Sequence, residues 1–301
     1  DSPKMLFVGI SISKKLDGSK LKKEDIKFLL QDAKQQVLRN QSNLSISHII
    51  IKKYKIDNIE YNSLPENINC NIISLDIFFI CLPKENIEYF KKIFSKLNIS
   101  IKQIYCSSYA KSLNCKNNLV PVNKLSFIDI GFSKTSIICF FENEIVFLDS
   151  LPIGGNHITK DISKILQVNL SEAENIKLSF DKDRKSFDEK KFSLDLIQKI
   201  IFARIEEILD LCSASIKLNL NLSTLDDCKI VLMGDGSKIL DNKYKEKISF
   251  SNDIHFFEET TEDICNSGFR IGQGSNKQEV VVVPKKQIKT GFFEKLFHIF
   301  K

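Results

Sequence analysis

Tryptophan is absent from the 301 residues, and histidine and proline are scarce, with four and six copies. The eight cysteines are dispersed, without a CxxC pair and without a histidine at zinc-ligand spacing. This pattern argues against a disulfide framework and against a zinc cluster, because both need grouped ligands. We expect most cysteines to be small apolar core residues, and the four histidines suggest no shared site.

Long hydrophobic runs are also missing. No apolar run reaches the roughly 18 to 20 residues that span a bilayer, and Asp1 to Lys4 lack the features of a signal peptide. We therefore expect a chain that folds in the cytoplasm. The 44 Lys+Arg and 38 Asp+Glu give a net charge of +6 and are mixed along the chain, which does not favour nucleic-acid binding. The length suits two domains or one large domain divided into lobes.

Strand-like and helix-like segments alternate along the chain. Strands are predicted at 5–13, 48–54, 71–82, 125–130, 135–141, 145–151 and 229–233, and residues 99–105 also alternate. Helices are predicted at 24–39, 84–97, from about 159, at 172–178 and over 194–216. This order indicates an α/β fold with mixed sheets.

The strongest chemical signal is a turn after a predicted strand. Residues 127–136 read F-I-D-I-G-F-S-K-T-S, so the strand delivers Asp129 to a turn at Gly131, and hydroxyls follow at Ser133 and Thr135. The backbone N–H groups of such a turn can bind a phosphate, and an Asp at the strand end can hold Mg²⁺ through its waters. An ordinary β-hairpin with polar turn residues is the alternative.

Three residue pairs extend this signal: Gly154–Gly155, Glu174–Lys177 and Gly234–Gly236. The first pair precedes a predicted helix, whose N-terminus tolerates anions, although Gly-Gly turns are also common in structural loops. The second pair lies three residues apart on one helix face, where a surface ion pair is the alternative. The third follows a buried strand and permits a close backbone approach. The four motifs in this order are a more specific signal for a phosphate-binding site than any one of them alone.

The motif order resembles the FtsA family of bacterial cell-division proteins, in the actin/Hsp70 ATPase superfamily. The matching pattern is DIG-x-x-x-T, a hairpin, P-x-G-G-x-x-x-T-x-DI and then EAE-x-x-K. Residues 48–57, H-I-I-I-K-K-Y-K-I-D, are similar to a segment of the family's subdomain 1C. The similarity also includes 107–110 and 204–208, and so covers about the whole chain.

The resemblance implies an actin-like, two-lobed α/β fold with an SHS2-like subdomain 1C. The first hairpin and its phosphate loop would precede Met5, so that the chain begins inside subdomain 1A. The implied divisions are 1–19 (part of 1A), 20–82 (1C), 83–124 (the rest of 1A), 125–166 with 228–272 (2A, nucleotide-binding), 167–227 (2B), 273–290 (a linker) and 291–301 (an amphipathic membrane-targeting helix).

The resemblance also implies ATP and Mg²⁺ as ligands, with at most a weak ATPase activity. Its implied partners are further copies in a filament, the C-terminal peptide of FtsZ on subdomain 2B, anionic inner-membrane lipid and downstream divisome proteins, at the cytoplasmic face of the division site. Asp129, Gly131, Ser133 and Thr135 would surround the phosphates and Mg²⁺, Gly154 and Gly155 would line the cleft, Glu174 and Lys177 would face the ribose, and Gly234 and Gly236 would lie beside adenine and ribose. The charges of Lys190, Lys191 and Lys199, near the long predicted helix, suit acidic residues of that peptide, and ordinary solvated lysines are the alternative.

The last eleven residues support a membrane anchor independently of the resemblance. On a helical wheel one face is wholly apolar, and at about 1.5 Å per residue the helix is roughly 16 Å long, so that it would lie in the membrane interface. The alternative is a helix docked on the protein's own core. The predicted membrane-binding residues are Phe292, Phe293, Lys295, Leu296, Phe297 and Phe300.

The chain departs from the family motifs at three positions. Phe132 replaces a glycine, Ser136 replaces an aspartate, and Asp235 stands inside the last glycine motif. Two alternatives on the same fold are a pilus-assembly adaptor of the PilM family and a degenerate scaffold without nucleotide. A sugar kinase would need a catalytic carboxylate and a sugar-binding set, and we find neither in the sequence.

Overall fold

The computed structural model describes residues 2, 4–65, 67–119, 122–182, 192–240, 254–274 and 279–280. Its strands are β1 (Leu6–Lys15), β2 (Leu44–Ile56), β3 (Ile59–Tyr61), β4 (Ile72–Pro83), β5 (Lys124–Ile130), β6 (Thr135–Phe141), β7 (Glu144–Leu151), β8 (Lys229–Met233) and β9 (Ile254–Phe256). Its helices are α1 (Lys23–Asn40), α2 (Lys84–Lys96), α3 (Ser107–Asn118), α4 (Gly155–Leu166), α5 (Leu170–Lys182), α6 (Leu194–Leu220) and α7 (Thr261–Gly272), with one 3₁₀ turn at Asp235–Ser237.

The first half of the chain forms an antiparallel sheet in the order β1-β4-β2-β3. The apolar stripe of α1, which includes Leu29, Ala33 and Val37, packs against this sheet in one core. β1 pairs with β4 along its whole length. The predicted boundary between residues 19 and 20 therefore separates two parts of one sheet, and the subdomain divisions stay predictions.

The second half is built around a five-stranded sheet in the order β7-β6-β5-β8-β9. β5 is antiparallel to β6 and parallel to β8. Because side chains alternate along a strand, Phe127 packs with α3 and α7 on one face, whereas Ile128 and Ile130 pack with α4, α5 and α6 on the other. A strand covered on both faces is mostly apolar, as residues 125–130 are, with Ser126 and Asp129 as the two polar members.

Most of the predicted elements are present, and the differences are local. β6 and β8 have the predicted bounds, and α4 begins at Gly155 instead of near Thr159. The sequence analysis did not predict α3, α7, β3 or β9, and residues 99–105 form no strand. Seven of the eight cysteines are buried, in agreement with the predicted core role, and only Cys265 is exposed.

The predicted linker is described only at its start, to Gly274, and at Glu279 and Val280. The latter two lie against β2, where the Val280 amide donates to the carbonyl oxygen of Ile49 at 2.8 Å. Glu279 Oε1 is 2.6 Å from Nδ1 of the buried His48. The predicted membrane-binding residues of 291–301 lie outside the described part of the chain. Within that part, no helix combines the length and the apolar character of a membrane span.

Candidate functional site

A cavity of about 740 Å³ opens at the carboxyl ends of β5 and β8. In open α/β sheets, ligands bind at this edge, in the crevice outside the strand ends. The cavity walls come from α3, the β5–β6 turn, α4, α5, the turn after β8 and the start of α7. Its volume lies in the range of small-molecule sites, which is roughly 300 to 1,000 Å³.

The structure brings most of the predicted site residues to this cavity. Eight of them line it: Asp129, Gly131, Ser133, Gly155, Glu174, Lys177, Gly234 and Gly236. Thr135 does not, because its side chain is buried and its hydroxyl donates to the carbonyl oxygen of Ile153 at 2.8 Å. Gly154 does not line the cavity either, and it packs against the back of the β5–β6 turn.

Three glycines are needed because backbones meet at the end of β5. A Cβ on Gly154 would lie 2.5 Å from the carbonyl oxygen of Gly131, and a Cβ on Gly236 would lie 2.6 Å from Cγ2 of Ile130. Gly234 has a φ of +87°, and a Cβ there would overlap Oδ1 of Asp129. The glycines thus allow three turns to converge on the cavity floor.

The first amides of α4 bind protein carbonyl groups. The Gly155 amide donates to the Gly131 carbonyl oxygen at 2.9 Å, and the Asn156 amide donates to that of Phe132 at 2.7 Å. These bonds fix the β5–β6 turn against the helix. The two amides therefore hold the turn, whereas the sequence analysis expected the glycine pair to offer an anion site.

A buried ion cluster joins β5, α3 and the segment before α7. Lys111 Nζ lies 2.8 Å from Asp129 Oδ2 and 2.5 Å from Glu259 Oε1, and all three side chains are at most 8% exposed. Asp129 faces α3 because it follows Phe127 by two residues on the same face of β5. Burial lowers the pKa of Lys111, but the attraction of Asp129 and the hydrogen bonds to both carboxylates raise it above its ordinary value.

A capping box holds Glu259 in place. Thr260 caps α7, its hydroxyl accepts from the Asp263 amide at 3.1 Å, and Asp263 Oδ2 accepts from the Thr260 amide at 2.9 Å. Glu259 is the residue just before this cap. Its Oε2 is 3.4 Å from the Gly234 amide, so that the carboxylate also touches the turn after β8.

These contacts test whether Mg²⁺ fits at Asp129 as predicted. Mg²⁺ requires a nearly octahedral shell of oxygen ligands. One oxygen of Asp129 contacts an ammonium and the other packs against Gly234, while the family's second aspartate is Ser136 here. In the described part of the chain, no group of three or more His, Cys, Asp and Glu side chains could hold a metal ion. Because Lys111 and Gly234 contact both oxygens of Asp129, this carboxylate does not fit the water shell of the predicted Mg²⁺.

A second ion cluster lies on the opposite wall. Lys177 Nζ is 2.7 Å from Glu174 Oε2, 2.9 Å from the Thr159 hydroxyl and 3.2 Å from the Gly155 carbonyl oxygen. Thr159 also donates to Glu174. Burial raises the pKa of Glu174, but the hydrogen bonds from Lys177 and Thr159 lower it more, so that it lies below its ordinary value.

Several lining residues escaped the sequence analysis, among them Lys111, Lys134, Lys238 and Glu259. Lys134 lies in the motif that was singled out, and its buried ammonium donates to Ser136 where the family has an acidic residue. Lys111 directly follows the S-S-Y-A segment that carried part of the resemblance. A lysine in a segment of buried residues is a usable signal, since an unpaired buried ammonium is costly.

The lining carries as many basic as acidic side chains, so that it suits a polar ligand with hydrogen-bond donors and acceptors. Lysine ammonium groups lie on both walls and on the turn between them. Asp235 is 91% exposed and pairs with Lys238 at 2.7 Å, so its charge is partly neutralised at the mouth of the cavity. The lining comprises Lys111, Lys134, Lys177 and Lys238 on the basic side, and Asp129, Glu174, Asp235 and Glu259 on the acidic side.

Known proteins are similar to this chain in sequence and in fold. The protein of Agrobacterium fabrum described as "Cell division protein FtsA" is 22% identical over 246 residues, which are 74% of this chain and 54% of that protein. Its namesake in Helicobacter pylori is 26% identical over 135 residues, or 45% of this chain and 27% of that protein. The chain thus spans about half the length of the first of these relatives.

A solved structure titled "PilM-PilN type IV pilus biogenesis complex" superimposes with a TM-score of 0.61 at 12% identity, covering 90% of this chain and 75% of that one. At this identity the similarity concerns the fold, and the predicted actin-like α/β fold is confirmed. The family model described as "Cell division protein FtsA" matches residues 126–285, which include every cavity residue named here except Lys111. The chain belongs to the FtsA family of cell-division proteins.

Proposed function

We propose that the cavity at the ends of β5 and β8 binds an adenine nucleotide. The observation that carries this proposal is the convergence of three glycine turns and several lysines on one cavity of nucleotide-binding size. Membership of the FtsA family supports it, because the resemblance to that family implies a nucleotide site formed by these same residues.

The roles within the site follow the resemblance and the geometry together. Gly131 and Ser133 lie on the turn that would meet the phosphates. Lys177 and Glu174 stand on the opposite wall, where the ribose would lie, and Gly236, which also lines the cavity, would border the base. Thr135 supports the turn from behind through its bond to Ile153. We assign no Mg²⁺ to Asp129, because its contacts do not fit that ion.

Calorimetric titration of the full chain with ADP and ATP tests the proposal. Ser133 is exposed at the cavity, so that Ser133→Glu should fold normally and place a negative charge where the phosphates would bind. We expect wild-type binding to be lost in this variant. Ser171→Glu adds the same charge at an exposed position of α5 outside the cavity and should bind like the wild type. Equal binding by all three proteins would contradict the assignment.

We further propose that the nucleotide site serves assembly, with at most weak hydrolysis. In this proposal the protein polymerises, binds the C-terminal peptide of FtsZ and attaches it to the membrane at the division site. The FtsZ peptide would bind the segment 167–225. Of the basic residues predicted there, Lys199 is exposed and pairs with Asp195 at 2.6 Å, whereas Lys190 and Lys191 lie outside the described residues. A pull-down by the FtsZ peptide that survives deletion of this segment would refute its role.

Residues 291–301 would supply the membrane contact as a reversible anchor. Five large apolar side chains contribute about 1.5 to 3 kcal/mol each when fully buried, and less in the interface. Ordering a helix this short offsets much of that gain, so that one tail binds weakly and a filament binds strongly. Phe297→Glu should release the protein from anionic vesicles while FtsZ binding persists. Unchanged co-sedimentation would favour a docked helix.

A further inference from the structure

We propose that Lys111 takes the place of the divalent cation, so that the chain binds its nucleotide without Mg²⁺. The inference rests on the proposed nucleotide function and deepens it. Its basis is the position of the Lys111 ammonium, which lies between Asp129 and Glu259 on the wall of the cavity, 2.8 Å and 2.5 Å from their carboxylate oxygens. This is the place where a hydrated cation would otherwise join the strand-end aspartate to a phosphate.

An ammonium in this position can bind the carboxylates on one side and a phosphate on the other, as the ion would. A lysine carries three N–H donors. Asp129 and Glu259 take two of them, and Lys111 makes no other hydrogen bond or ion pair in the described part of the chain. Since Lys111 lines the cavity, its third donor is available to a phosphate oxygen that enters it. Three elements hold the ammonium: α3, the end of β5 and the segment before α7.

The charge balance supports the same inference. Asp129 and Glu259 contribute two negative charges, and Lys111 neutralises one of them inside the protein. Lys134, on the adjacent turn, donates to the hydroxyl of Ser136. Ser136 is neutral, whereas the family motif has an acid at this position, so that the motif supplies one carboxylate fewer here. A divalent cation would enter a site that already holds two buried ammonium groups. The two ammonium groups balance the two carboxylates, so that no net negative charge remains here to attract the divalent cation.

The first test compares ADP binding by the full-length wild-type chain in Mg²⁺ and in EDTA. If Lys111 replaces the ion, the two affinities are equal. A loss of binding in EDTA of about tenfold or more would overturn the inference, because it would show that a free metal ion still contributes. This comparison needs no variant, so it does not depend on whether a changed cluster still folds.

The second test uses Lys111→Met, with Lys116→Met on the same helix as the control. Lys116 points to the carbonyl oxygen of Asn143, away from the cavity lining. We expect the Lys111 variant to bind ADP roughly 10- to 100-fold more weakly in EDTA, as for a lost charged hydrogen bond, and to regain affinity in Mg²⁺. The control should match the wild type in both buffers. A Lys111 variant that binds like the control would overturn the inference.

A titration with Mn²⁺ alone separates this inference from the nucleotide proposal. The wild type should show no Mn²⁺ binding that depends on Asp129, whereas Lys111→Met should gain such binding because both carboxylates become available. Mn²⁺ binding by the wild type that Asp129→Asn abolishes would refute the role of Lys111. A failure of ADP to bind in either buffer would refute the nucleotide function, and the Mn²⁺ result would still decide whether Lys111 excludes the ion.

Discussion

The two walls of the cavity hold lysine clusters of similar geometry in different surroundings. Lys111 lies 2.8 Å from Asp129 and 2.5 Å from Glu259, and Lys177 lies 2.7 Å from Glu174. The carboxylates of the first cluster are 7% and 8% exposed, whereas Glu174 is 31% exposed. The first cluster joins three distant segments of the chain, and the acid–base pair of the second spans three residues of one helix.

Burial, more than distance, sets what each cluster contributes to stability. When a buried pair loses one partner, the remaining charge has no solvent to compensate it, and the cost is high. When an exposed pair loses one partner, water solvates the other charge and the cost is small. The two walls, together with an exposed pair on α6, therefore form a graded series within one protein. The predictions below follow that series.

The largest effect is expected for Lys111→Met, which leaves Asp129 and Glu259 buried without a counter-charge. We expect the free energy of unfolding to fall by about 3 to 5 kcal/mol. Denaturant unfolding of the wild type, Lys111→Met and Lys116→Met measures this effect. The Lys116 change removes the same charge from the same helix at a less buried position, and should cost less than about 1 kcal/mol. Equal losses in both variants would show that the Lys111 cluster is not special.

The same contrast explains which part of the site the sequence could predict. The spacing of Glu174 and Lys177 on a helix allowed for their ion pair, as the alternative to a ribose contact, since residues three apart are neighbours there. No local pattern relates Lys111 to Glu259, 148 residues away, because their contact depends on how α3 and α7 pack on the sheet. Both helices were missed, and Lys111 was missed with them. Its partner Asp129 was found, but with a metal ion as the expected neighbour.

The elements of the fold divide in the same way, into those that a local pattern predicts and those that depend on tertiary contacts. Strongly apolar strands such as β5, β6 and β8 were predicted within one residue of their bounds, because burial on both faces leaves a continuous apolar run. α3 was not predicted because its sequence, SSYAKSLNCKNN, shows little apolar periodicity, and tertiary contacts stabilise it. The glycines at 154, 234 and 236 stood out in the sequence, and backbone contacts that no local rule predicts account for them.

A smaller effect is expected for Lys177→Met. Lys177 itself is buried, but its partner Glu174 retains solvent and the bond from Thr159. We therefore expect a loss of about 1 kcal/mol in the free energy of unfolding. The exposed pair of Lys199 and Asp195, with side chains 71% and 72% exposed at 2.6 Å, is the matched control, and Lys199→Met should cause no measurable change. A larger loss for Lys199 than for Lys177 would contradict the dependence on burial.

The smallest effect is the pH dependence of stability, which distinguishes the two clusters because their pKa shifts have opposite signs. The pKa of Glu174 is lowered in the folded protein from the ordinary value of 4.5. The folded state therefore gains stability from the ionised carboxylate above pH 4.5, and this gain disappears as the pH falls through the lowered value. The pKa of Lys111 is raised above 10.5, so that its contribution is complete below that pH and is lost only as the pH rises through the folded-state value.

Lowering the pH should thus remove the stability that the ionised Glu174 contributes, and it should leave the charge of Lys111 unchanged. We expect the difference in unfolding free energy between the wild type and Glu174→Gln to be constant near neutral pH, less than about 1 kcal/mol, and to shrink below pH 4.5. Subtracting the variant removes the contributions of other carboxylates, which titrate in both proteins. Denaturant unfolding at several pH values between neutrality and pH 3 measures this. A difference that grows on acidification would mean that Glu174 is more basic in the folded protein than in the unfolded chain, opposite to what its contacts with Lys177 and Thr159 require.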